Sequence, residues 1–70
     1  MIDEARAREI AERDAAQAYR DLSIYTVSAR LAEGYWHIDY ELSDETLLGG
    51  GPHYVIAAET GEVVNRRYEQ

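Results

Sequence analysis

The residues able to do acid–base or ligand chemistry fall in a few short stretches. His37, Asp39 and Glu41 alternate along a run that reads as a strand, which puts all three on one side of it, and His53 opens the next strand-like run. Two imidazoles and a carboxylate are ligand types that zinc accepts, but this spacing matches no zinc signature. The same residues serve equally well as a solvated polar face or a contact surface, so no metal is expected. Asp14 lies within the arc of Ala7, Ile10, Ala11 and Ala18 on a helical projection. It is either an edge residue or a buried acid. If buried, its pKa is raised, or it pairs with an arginine or a tyrosine hydroxyl. Gly49-Gly50-Gly51-Pro52 leads into a strand and not a helix, and the chain has no lysine, so it is not read as a phosphate loop. It is expected to be a structural crossing where glycine permits close approach. No Ser/His/Asp set and no carboxylate pair beside a cleft can be picked out, so no catalytic residue is named.

A second feature is acidic and aromatic. Asp39, Glu41, Asp44 and Glu45 precede the glycine loop in company with Tyr35, Tyr40, Leu47 and Leu48. Charges steer association and aromatics anchor it, so Tyr35, Asp39, Glu41, Asp44, Glu45, Leu47 and Leu48 form the expected contact set for a basic protein partner. Acidity that merely keeps a small domain soluble is the alternative.

The elements that must position these residues are legible. Residues 4–20 lack Gly, Pro and Val and contain six alanines, which predicts a helix. Asp3 is its N-cap, and Arg6 at the third helical position rules out a capping box. Ala7, Ile10, Ala11, Ala15, Ala18 and Leu22 form its apolar stripe. The period then changes to two. Strands are predicted over about 23–31 and 35–42, joined by Ala32-Glu33-Gly34, with Tyr25, Val27, Ala29, Leu31, Trp36, Ile38, Tyr40 and Leu42 inward. A second hairpin pairs about 53–58 with about 62–68 through a turn containing Thr60 and Gly61. The expected architecture is α+β: α-β-β-β-β, with one N-terminal helix packed on a curled antiparallel sheet of three to four strands. Val55 with Ile56 and Val63 with Val64 put apolar side chains on both faces of the second hairpin. One helix cannot cover both, so a dimer or another partner is expected there.

Composition narrows the function classes. The chain is one domain of 70 residues, 1–70, with 14 acids, 7 bases and net charge −7. Nucleic-acid binding needs clustered cations, and seven scattered arginines make no patch. There is no cysteine, hence no disulfide and no thiolate chemistry. No basic start with an apolar stretch marks a secretory signal, and no run approaches a membrane span, so a cytoplasmic, soluble protein is expected. A complete enzyme site and a bound cofactor are not expected at this length; a structural homodimer, or a small-ligand or enzymatic domain with Asp14, His37 or Asp39 as acid or base, are the other readings.

The segments Gly34-Tyr35-Trp36-His37-Ile38, Gly49 through Ile56 and Thr60-Gly61-Glu62-Val63-Val64, behind an alanine-rich helix, have a familiar order. It resembles small bacterial immunity proteins of polymorphic toxin systems with a nuclear-transport-factor-like, or cystatin-like, fold. On that resemblance Trp36 is the core tryptophan, Gly49 to Pro52 the crossing loop and Thr60-Gly61 the hairpin turn. It implies a non-catalytic inhibitor of a bacterial toxin. The hairpin phrase also resembles PepSY-type domains, which regulate or inhibit peptidases.

Overall fold

The computed structural model describes residues 1–43 and 50–68. One helix, α1 (Glu4–Ala18), is followed by four strands: β1 (Tyr25–Ala32), β2 (Tyr35–Leu42), β3 (His53–Ala57) and β4 (Val63–Arg67). They form one sheet in the order β1-β2-β3-β4, antiparallel throughout. The fold is therefore α+β, one helix against a four-stranded antiparallel sheet.

The helix begins where its cap directs. The Asp3 carboxylate accepts the Arg6 N–H at 2.9 Å, satisfying one of the free donors of the first turn. It ends at Ala18, two residues short of the expected limit, because Tyr19 turns to extended backbone while its N–H still bonds the Ala15 carbonyl at 2.8 Å. Ala7, Ala11 and Ala15 repeat every four residues and are fully buried. With no side chain beyond Cβ, this stripe lets the helix axis come close to β2, and the larger sheet residues fill the core. Ile38, Tyr40, Tyr54 and Ile56 do so, joined by half-buried Ile2, Ile10, Leu22, Tyr25, Val27, Ala29, Trp36 and Val63.

Two expected inward positions are exposed. Leu31 is 45% exposed, because the helix lies over β2 and leaves the end of edge strand β1 uncovered. Ala18 is exposed because the helix stops there.

The first hairpin turns on Glu33-Gly34 alone, both with left-handed φ of +51° and +84°. That is the conformation of a two-residue primed turn, whose twist suits the flanking strands. The second hairpin contains Gly61 at φ +80°, and Thr60 Oγ1 accepts the Glu62 N–H at 3.2 Å. Its ladder carries a bulge. Val55 faces Asn65 but Ile56 faces Val63, so Val64 is the extra residue. Val64 is 49% exposed, whereas Ile56 is fully buried and Val63 packs on the core. Ile56 and Val63 are thus covered within the chain, while Val64 stays half exposed and Val55 lies on the uncovered face.

At the turn end of the sheet, the Ile2 N–H bonds the Ala58 carbonyl at 2.7 Å, and the Trp36 indole donates to the Ile2 carbonyl at 3.1 Å. Trp36 therefore ties the start of the chain to the sheet as well as filling the core. Gly51 does what the glycine loop was expected to do. A Cβ there would lie 2.6 Å from the Tyr40 carbonyl oxygen and 2.9 Å from the Tyr25 ring, so only glycine lets the chain pass over β2 into β3.

Candidate functional site

The chemistry-bearing residues divide between the two sides of the sheet. Asp14 projects from α1 onto the covered face. The other face holds His37, Asp39, Glu41 and His53, with Asn65 and Arg67 from β4.

On the covered face, Asp14 is the centre of a polar cluster. Its Oδ2 accepts hydrogen bonds from the Tyr54 hydroxyl at 2.8 Å and from the Tyr68 hydroxyl, and its Oδ1 takes the Arg66 guanidinium at 2.8 Å. The side chain is 21% exposed. Asp14 is therefore a half-buried acid, and its pairing with an arginine and tyrosine hydroxyls is the arrangement found. Burial works to raise its pKa, but the hydrogen bonds from Tyr68 and Tyr54 and the charge of Arg66 outweigh it and hold the carboxyl below its ordinary value of 3.8. The raised pKa that would suit an acid–base group is absent. Burial, reinforced by the carboxylate it donates to, pushes the Tyr54 phenol up, so it stays a donor across the physiological range. Tyrosine rings continue the cluster into the core. Tyr68, Tyr19, Tyr25, Tyr40 and Tyr54 meet in sequence with centroids 5.8–6.3 Å apart, mostly edge to face. Tyr54 and Tyr68, the two ends of this row, both return to Asp14. Each oxygen of Asp14 is occupied, so the cluster fastens α1 to β3 and β4.

Sequence reasoning named the partner types for Asp14 but not the residues. The missing signal is the bulge. By simple alternation Arg66 and Tyr68 share a side with Val64, opposite Val63; the extra residue at Val64 brings Val63, Arg66 and Tyr68 to the same side.

On the uncovered face, His53 Nδ1 and Asp39 Oδ1 are 2.7 Å apart, in register across β2 and β3. His53 is 19% exposed and Asp39 40%. Together with His37, Val55, Asn65 and Arg67 they border a shallow concavity of about 320 Å³. Among the described residues, no serine or threonine lines this concavity. Among the described residues no three His, Asp or Glu side chains are gathered closely enough to hold a metal ion. His37, Asp39, Glu41 and His53 are a polar surface on the strand side opposite the helix.

The expected contact set divides. Tyr35, Asp39 and Glu41 lie on this open side of β2, with Tyr35 42% exposed. Asp44, Glu45, Leu47, Leu48 and Gly49 fall outside the described residues. Tyr40, named with them, is 3% exposed on the covered face and belongs to the core. Among the described residues no helix is long and apolar enough to cross a membrane. No family model, curated protein or solved structure matches the chain.

Proposed function

We propose that the chain is a non-catalytic protein-binding module of the immunity type, which inhibits a bacterial toxin by docking on it through the open face of the sheet. The observation that carries this reading is the row Tyr35, Asp39 and Glu41 along the uncovered side of β2, beside a shallow concavity, on a chain of net charge −7. An exposed aromatic on the same strand side as two carboxylates suits a basic protein surface, and the overall charge speeds encounter with one. A toxin that acts on nucleic acid presents such a surface where it binds its substrate. The inhibitor then blocks access without chemistry of its own. The saturation of Asp14, whose two oxygens are both taken by hydrogen bonds, supports this over an acid–base role for that residue. The working location is the cytoplasm, where such a toxin would act.

The test is binding and protection. The purified chain, titrated by calorimetry into a nuclease toxin domain encoded beside it, is expected to bind at micromolar concentration or tighter and to stop cleavage. The double variant Asp39→Arg/Glu41→Arg is expected to bind at least ~10-fold more weakly. Absence of binding at that concentration, or binding unchanged by the double variant, overturns the proposal.

A further inference from the structure

The sheet has two edges, and they are built differently. β4 has five residues, carries the Val64 bulge and ends in Arg66 and Arg67, features that discourage strand addition. β1 has eight residues in unbroken register with β2, with Arg30 as its one charged side chain. Its backbone polarity follows from two hydrogen bonds. The Tyr40 N–H turns to the Pro52 carbonyl at 3.1 Å, away from β1, and the Ser43 N–H bonds the Ile24 carbonyl at 2.9 Å. Even-numbered residues of β1 therefore bond β2, while Val27, Ala29 and Leu31 aim N–H and C=O outward. Arg8 reaches this edge from the helix, its Nη1 3.3 Å from the Val27 carbonyl oxygen. The Tyr25 N–H is taken by the Leu22 carbonyl at 3.2 Å.

We infer that β1 is a docking edge for a second copy of this chain, paired antiparallel about a two-fold axis at Ser28. The argument for a second copy is that the strand complements itself in this register. Outward-pointing residues must face outward-pointing residues, and centring on Ser28 sets Val27 against Ala29 of the second copy and Tyr25 against its Leu31. Roughly six backbone hydrogen bonds close across the axis, the Tyr25 N–H being already used and the Arg8 guanidinium leaving Val27. On the helix side, exposed Leu31 gains a tyrosine ring. On the open side, Arg30 meets Thr26 and Ser28 meets Ser28, so no like charges oppose. The result is a continuous eight-stranded sheet whose open face doubles in width. This inference is independent of the proposed toxin partner, because it uses the β1 edge and not Tyr35, Asp39 and Glu41 on the open face.

The chain lacks cysteine, which makes the register testable. At about 100 µM, light scattering is expected to give the dimer mass. Ser28→Cys lies on the axis and is expected to cross-link under mild oxidation, while Thr26→Cys, facing Arg30 of the second copy, does not. Ala29→Pro removes an outward N–H and spares the β1–β2 ladder, so it is expected to give a folded monomer by circular dichroism and scattering. If that variant does not fold, the two cysteine variants decide alone. A monomeric wild type at that concentration, a dimer that survives Ala29→Pro, or equal cross-linking through positions 26 and 28 overturns the inference.

Discussion

The two faces of the sheet contain the same kinds of side chain and use them in opposite ways. Under the helix, Asp14 is surrounded by Arg66, Tyr54 and Tyr68, and each of its oxygens is taken. On the open face, Asp39 meets His53 and is otherwise turned toward solvent, at 40% exposure. A charge that leaves water must be compensated by fixed partners, and those partners then hold the elements that carry them. A charge that stays wet contributes little to stability and is available to another molecule. The acid that sequence reasoning marked as a candidate for chemistry is thus part of the scaffold, and the carboxylates left to solvent lie on the other side.

This contrast predicts an order of mutational cost. Gly51→Ala should be the most damaging, at about 3 kcal/mol, because its Cβ would lie against the Tyr40 backbone, which cannot yield as a side chain can. Chemical denaturation reads it directly, and a loss below ~1 kcal/mol would show that the crossing can shift. Asp14→Ala should cost about 2–3 kcal/mol, since it leaves the buried Tyr54 hydroxyl without its acceptor and α1 without its tie to β4. Tyr54→Phe removes the donor but keeps the ring in its row, and about 1–1.5 kcal/mol is expected. Arg66→Ala should cost less than either, because the guanidinium is half exposed and its attraction is screened. On the open face, Asp39→Asn and His53→Gln should each change stability by no more than ~0.5 kcal/mol. A loss there as large as that of Asp14→Ala would erase the distinction between the faces. The smallest effect concerns neither face. Glu33 holds φ at +51°, and Glu33→Asn should stabilise the turn by about 0.5 kcal/mol.

Acid sharpens the same contrast. The folded-state pKa of Asp14 lies below its unfolded value, so its contribution is fully present above the unfolded value of 3.8 and is lost as pH falls through the folded one. The stability advantage of wild type over Asp14→Asn should therefore shrink from about pH 4 downward. Asp21, held down by hydrogen bonds from the Ser23 hydroxyl and N–H, acts with the same sign and remains in both proteins, so the difference isolates Asp14.

Much of this arrangement is legible from residue patterns alone. The alanine stripe, the Asp3 cap, the change of period after Asp21 and the three glycine-marked connections place the helix and four strands within two residues at most ends. What escapes is tertiary. Leu31 reads as inward by alternation, yet the helix does not extend over it. Arg66 and Tyr68 read as facing away from Val63 until the bulge reverses them, so the partners of Asp14 could be named by type but not by number. The open-face row of Tyr35, Asp39 and Glu41 follows from alternation, whereas the pairing of Asp39 with His53 needs the β2–β3 register, which only the crossing at Gly51 and Pro52 fixes.

The claim that Asp14 is scaffold and not machinery rests on its ionised, saturated state. Side-chain carboxyl NMR of Asp14 across an acid titration measures that state at the atom concerned. The account predicts a midpoint below 3.8, with the Asp14→Asn spectrum identifying the resonance. A midpoint above that value would mean an acid able to hold a proton in the core, a group suited to acid–base chemistry under the helix.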